Sequence, residues 1–160
     1  MIATGRIVSD DELAAAVAAD RRAGRTIAFA NGCFDLLHVG HVRYLAGARA
    51  EADRLVVAIN DDASVRALKG EGRPILPAAA RAELVAALRG VDYVVLFGDP
   101  DVKRLLEAIR PDVHCKGTDY TVDTVHGTSI RADMPTRAQH TKCSNTEGTV
   151  NTRWSRTTLI

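Results

Sequence analysis

The sequence predicts one α/β domain, a parallel sheet with helices on both faces, followed by an atypical C-terminal tail. Short apolar runs at 26–30, 54–59, 91–97 and 112–115 alternate with stretches of helical spacing, the pattern of strands buried on both faces. Residues with chemical potential gather just after these runs, at 31–41, 60–62 and 116–120. In open parallel sheets, ligands bind beyond the carboxyl ends of the strands. A chain of 160 residues suffices for one domain with a full core.

In chain order, Ser9 with Glu12 three residues later predicts a capping box that opens an alanine-rich helix ending near Gly24. Thr26 to Ala30 is too short and apolar for a helix and reads as the first buried strand, broken by Asn31, Gly32 and Cys33. His38 to Ala50 has helical spacing, with Val42, Leu45 and Ala46 on one face. Arg54 to Ile59 is the second strand, ended by Asn60, Asp61 and Asp62. The segment 70–77, with two glycines and two prolines, reads as a mobile loop. Ala78 to Arg89 is a helix closed by Gly90, Val91 to Phe97 a third strand, Asp101 to Ile109 a helix, and Asp112 to Cys115 a fourth strand. After Val125 the pattern fails. Residues 126–160 contain eight threonines and no apolar run of strand length, so the chain divides into a domain at 1–125 and an atypical, irregular segment at 126–160. Within it, 126–144 is expected to be irregular or mobile.

Composition excludes several classes. The chain is 46% hydrophobic and 26% charged with a net charge of +1, so no strong field points to nucleic acid or an anionic membrane. Aromatics at 4% weaken a base-stacking reading further. No apolar run approaches the roughly 18 residues of a membrane span, and the N-terminus has no signal-peptide stretch. Cys33, Cys115 and Cys143 form no close pair, which fits a reducing, cytoplasmic setting without disulfide or zinc. No cluster of Asp, Glu or His has metal-ligand spacing.

The sharpest chemical signal is Asn31-Gly32-Cys33-Phe34-Asp35-Leu36-Leu37-His38-Val39-Gly40-His41. Two histidines three apart sit where a strand turns into a helix, and a helix N-terminus attracts phosphate through its unpaired N–H groups and dipole. Gly40 removes a side chain where a ligand must approach the backbone. Imidazoles in that place donate to phosphoryl oxygens as charge develops at phosphorus. Asp35, so near phosphates, must meet a hydroxyl, a cation or a basic side chain; contact with acceptor hydroxyls, or a structural bond to the turn, satisfies it. Cys33 reads as a small apolar residue rather than a nucleophile.

This stretch resembles the HxGH nucleotidyltransferase (cytidylyltransferase-like) superfamily, and its N-G-C-F-D-L-L-H-x-G-H form resembles the heptose 1-phosphate adenylyltransferases. The likeness runs from Thr26 to Tyr120. It implies a Rossmann-like sheet and a reaction in which a sugar phosphate attacks the α-phosphate of ATP and pyrophosphate leaves. By the resemblance, His38, His41 and Lys69 are catalytic. Lys69 leads a loop, Lys69-Gly70-Glu71-Gly72-Arg73-Pro74, that closes over phosphates. Asn31, Gly32, Cys33, Phe34, Gly40, Arg81 and Lys116 would line the nucleotide. Thr149 and Thr152, in a stretch resembling the family's Ser/Thr-rich turn, would grip the triphosphate. Asp35, Lys116 and Asp119 would meet the acceptor, the last two in a segment like the family's K-G-x-D-Y. Magnesium is expected on the triphosphate oxygens. The partners implied are ATP and heptose 1-phosphate, with no nucleic acid and no membrane, and there is room for a homodimer. Two rivals remain: a cytidylyltransferase for glycerol 3-phosphate or a similar alcohol phosphate, and a non-catalytic nucleotide-binding module. Asn31 and Cys33 favour the heptose branch over the first; His38, His41, Lys69 and Lys116 argue against the second.

Overall fold

Ser9 begins the regular structure as its spacing predicts. Its hydroxyl accepts the Glu12 N–H, and the Glu12 carboxylate accepts the Ser9 N–H at 2.8 Å. In the computed structural model, residues 5–117 are described, together with the backbone of two later strands at 138–142 and 149–154. The elements run β1 (Arg6–Ile7), α1 (Asp10–Arg22), β2 (Ile27–Gly32), α2 (Val39–Ala50), β3 (Arg54–Asn60), α3 (Asp62–Lys69), α4 (Ala78–Ala86), β4 (Tyr93–Phe97), α5 (Lys103–Ile109), β5 (Val113–Gly117), β6 (Ala138–Lys142) and β7 (Thr149–Trp154).

The sheet order is β1-β4-β3-β2-β5-β7-β6. The first five of these strands are all parallel, so the parallel α/β sheet predicted from the apolar runs is the observed fold. Alternate residues of each strand face opposite layers. Ala28, Ala30, Leu55, Val57 and Ile59 pack with Leu45, Ala82 and Val85 of α2 and α4. Ile27, Phe29, Val56 and Ala58 pack with Leu13, Val17, Leu105 and Ile109 of α1 and α5. Burial on both faces is why these strands read as continuous apolar runs rather than alternating ones.

Two elements lie outside the sequence expectations. β1 has only two residues, below what periodicity can register. α3 is only eight residues long and buries only Val65, leaving Leu68 exposed, and its clearest mark is the Asp61 cap, whose Oδ1 accepts the Ser64 N–H at 2.7 Å. The segment 70–77 contains neither helix nor strand, as its glycines and prolines predict.

The tail departs from expectation. Where composition predicts an irregular 126–144, residues 138–142 form β6, which pairs antiparallel with β7, and β7 pairs antiparallel with β5. The physical reason is the edge of β5. An unpaired row of N–H and C=O groups is satisfied by any strand that docks there, and backbone pairing needs no apolar alternation. The rest of 126–144 lies outside the described residues.

Candidate active site

β2 is the strand from which the chain turns both ways. From β2 the chain builds outward through β3 and β4, then returns to place β5 on the other side of β2. The crevice at the carboxyl ends of β2 and β5 is therefore the topological switch point, the preferred ligand site of such sheets. Asn31 and Gly32 end β2, Cys33 follows them, and Lys116 stands near the end of β5. α2 starts directly after the β2 turn, so its N-terminus opens beside the same edge.

The two motif histidines cap that helix reciprocally. His38 is the N-cap, and its Nδ1 accepts the Gly40 N–H at 3.1 Å, while His41 Nδ1 accepts the His38 N–H at 3.4 Å. With each Nδ1 accepting, the proton of each neutral ring sits on Nε2. Both histidines thus keep a donor for an external ligand. Their ring centroids are 4.0 Å apart, and His41 also lies 5.2 Å from the Phe34 ring. Burial first, then the nearby charges of His38 and Lys69, hold the His41 imidazole below its ordinary pKa and so neutral. Gly40 has a cause within the fold: a Cβ there would stand 2.8 Å from His38 Cε1. Phe34 is held at φ 48°, a left-handed conformation costly for a bulky residue, and is nearly fully buried.

Two predicted ligand contacts are engaged by the protein itself. Asp35, buried, accepts Arg73 Nη1 at 2.6 Å and the Ile75 N–H at 2.6 Å, so its carboxylate fastens the loop at 70–77 to the motif. These bonds hold its pKa below the usual carboxylate range in spite of burial, which pushes the other way. Of the two roles expected for Asp35, the structural bond is the one formed here. Arg81, expected at the triphosphate, is fully buried. It donates to Leu76 O (3.0 Å), Cys33 O (2.5 Å), Asn60 O (2.8 Å) and Asp62 Oδ1 (2.8 Å). It ties together the ends of β2 and β3, the loop and α3. The cause is geometric: the guanidinium is a planar fork that reaches several acceptors at once.

Lys69 is the last residue of α3 and exposed, close enough to act electrostatically on both His41 and Cys33. Lys116 is buried, and that burial lowers its pKa to about 8. Burial raises the Cys33 thiol pKa even against Lys69, Arg81 and Lys116, which favours the protonated thiol. Its Sγ donates to Asn60 Oδ1 at 3.8 Å. His114 stands beside these residues, and no motif announced it. It is buried in β5, and its Nε2 meets Asn31 Oδ1 at 3.1 Å; the only sequence mark is a polar residue inside an apolar run.

Thr149 and Thr152, expected in a turn, belong to strand β7. Thr149 pairs with Gly117 at the carboxyl edge of β5, and Thr152 pairs with His114 further down. Asp119 lies outside the described residues. Among the described residues no group of three or more His, Cys, Asp or Glu is placed to hold a metal, and no helix is long and apolar enough to cross a membrane.

The chain has clear relatives. A family model described as cytidylyltransferase-like matches residues 29–147. The bifunctional protein HldE of Ectopseudomonas mendocina is 52% identical over 124 residues, 78% of this chain and 26% of that protein. HldE of Azotobacter vinelandii is 56% identical over 107 residues, 67% of this chain and 23% of that protein. The chain thus spans about a quarter of the length of the curated relatives it matches. Among solved structures, the lipopolysaccharide core biosynthesis protein from Thermoplasma volcanium is 31% identical with a TM-score of 0.57, covering 62% of this chain and 80% of that one.

Proposed function

The chain belongs to the cytidylyltransferase-like family of nucleotidyltransferases, and from that premise we propose that it transfers AMP from ATP to D-glycero-β-D-manno-heptose 1-phosphate. An oxygen of the sugar phosphate attacks the α-phosphorus, the bond from that phosphorus to the bridging oxygen breaks, and pyrophosphate leaves with ADP-heptose as the other product. The observation that carries the reading is the reciprocal cap of His38 and His41 at the N-terminus of α2, with both Nε2 donors left for a ligand beside the switch point. Two N–H donors at a helix N-terminus suit negative charge that grows on phosphoryl oxygens. The identity to HldE proteins supports the heptose branch, and a neighbour from lipopolysaccharide core biosynthesis suits a product that is an activated sugar.

In this reading His38 and His41 stabilise the transition state, and Lys69 closes onto the phosphates from the end of α3. Asn31, Gly32, Cys33, Phe34 and Gly40 shape the nucleotide crevice, and Lys116 supplies charge from β5. Arg81 and Asp35 serve by holding the strand ends and the loop. Thr149 and Thr152 of β7 serve the triphosphate, and Asp119 the acceptor. Magnesium enters with the triphosphate as part of the substrate, bound mainly by phosphate oxygens and water. A cytoplasmic setting supplies both substrates.

Pyrophosphate release with each of four nucleoside triphosphates, with and without heptose 1-phosphate, tests the assignment. ATP with heptose 1-phosphate and magnesium is expected to be the productive pair. Faster release from CTP with glycerol 3-phosphate would move the chain to another branch of the family and leave the histidine roles standing. No release from any pair would favour a non-catalytic nucleotide-binding module.

Lys116 makes the reaction pH-dependent. Its ammonium binds phosphate only while protonated, and its pKa in the folded chain is about 8. Raising the pH through about 8 therefore removes a charge that the triphosphate needs, so kcat/KM for ATP should fall across pH 7–9.5. The stability sign is opposite. The unfolded chain holds this proton up to the ordinary lysine range, so stability rises between about pH 8 and that range as the buried charge is lost. A K116Q variant should show a low kcat/KM that no longer follows this titration. A wild-type profile that stays flat through pH 9.5 would remove Lys116 from the binding site.

A further inference from the structure

We propose that His114 is a positioning residue that fixes the carboxamide of Asn31 so that its NH2 group faces the nucleotide; this rests on the reading of Asn31 as a nucleotide-binding residue. The two side chains stand on the strands that flank the switch point, β2 and β5, and join across it: His114 Nε2 lies 3.1 Å from Asn31 Oδ1. The ring has little freedom. It is buried, and it packs edge-on against Phe29, the residue to which His114 is paired in the ladder, with centroids 5.4 Å apart.

Burial, assisted by the positive charge of Lys116, keeps the imidazole neutral, with its pKa lowered to about 3. A neutral ring facing a carbonyl oxygen carries its proton on Nε2 and donates it. A carboxamide whose oxygen is engaged in this way has its orientation determined, because a flip would put NH2 hydrogens against the ring N–H. The Asn31 Nδ2 then turns away from His114, and it has no acceptor among the described residues. An amide donor left open at the carboxyl end of the central strand is suited to an acceptor on the nucleotide. Without His114 the amide is free to rotate, and half of its orientations present an oxygen to an anionic ligand.

The test is a double-mutant cycle read in KM and kcat separately. Asn31→Ala should raise KM for ATP by about tenfold, the size of one lost hydrogen bond to a charged or strongly polar ligand. His114→Leu should raise it by about three- to tenfold with little change in kcat, and the double variant should be no worse than N31A alone. His114→Gln, which retains an N–H donor, should recover most of the affinity. If N31A leaves KM unchanged, the placement of Asn31 at the nucleotide fails. If N31A raises KM while H114L does not, or if the two losses simply add, that placement stands and the positioning role is overturned.

Should H114L not fold, 15N spectra of the wild-type ring decide instead. A neutral imidazole protonated at Nε2, unchanged when a non-hydrolysable ATP analogue binds, is the expected result; protonation at Nδ1 would overturn the proposal.

Discussion

Replacing His38 or His41 by alanine should lower turnover by about two to three orders of magnitude, the range for losing one preorganised donor to a developing oxyanion. ATP affinity should fall less, because the lost interaction strengthens only as charge accumulates on the phosphoryl oxygens. The geometry adds a second consequence. His38 is also the N-cap of α2, and losing a cap costs about 0.5–2 kcal/mol of stability. H38A therefore mixes a catalytic loss with a structural one, and His38→Asn separates them. Asparagine caps well through its Oδ1, so H38N should melt near the wild type and yet remain slow, since it has no donor where Nε2 stood. For His41, whose Nδ1 accepts the His38 N–H while its ring packs against Phe34 and His38, His41→Asn is the matching control, since it keeps an acceptor and lacks the Nε2 donor. Because the two rings pack with centroids 4.0 Å apart, each loss disturbs the other ring, and the double alanine variant should be slowed by less than the product of the two single losses. Near-normal turnover in both single variants would make the motif a cap and nothing more.

The elements that could be read from the sequence are those whose cause is local. Apolar runs such as 54–59 gave strands because burial on both faces demands them, and Ser9 with Glu12 gave a helix start because the capping box is made within four residues. The strand-to-helix setting of the histidine motif was legible for the same reason, but the cap that its two rings form was not read from it. What could not be read were bonds closed by the tertiary fold. Nothing near Asp35 in the sequence says that Arg73, 38 positions on, takes its carboxylate, and nothing near Arg81 announces carbonyls of Cys33 and Asn60. Charge near a phosphate site suggests ligand binding equally well in either case. His114 was hidden in an apolar run whose burial was expected, but whose one polar atom needed a partner on the neighbouring strand. β6 and β7 failed to register because their pairing depends on an available edge rather than on their own pattern.

Arg81 sets up the largest stability effect. Its guanidinium is fully buried and makes four hydrogen bonds, three to carbonyls and one to the Asp62 carboxylate. Arg81→Met keeps much of the apolar stem while removing every donor. The carbonyls of Cys33, Asn60 and Leu76 then lose their partner, at about 1–3 kcal/mol for each one that stays dry. Asp62 recovers part of its loss, because its side chain is 43% exposed and water can reach it. The sum expected is a loss of about 3–5 kcal/mol, in the tail of single-substitution effects and comparable to breaking a buried ion pair. Arg81→Lys should lie between, since one ammonium cannot serve acceptors on two strands, the loop and α3. Urea unfolding of the variants measures the loss directly, and hydrogen exchange should show faster opening at 31–33 and 60–64 than at 93–97. An arginine that only reached for a triphosphate would behave otherwise. Its replacement would leave stability within about 0.5 kcal/mol and weaken ATP binding alone, and that outcome would return Arg81 to the ligand.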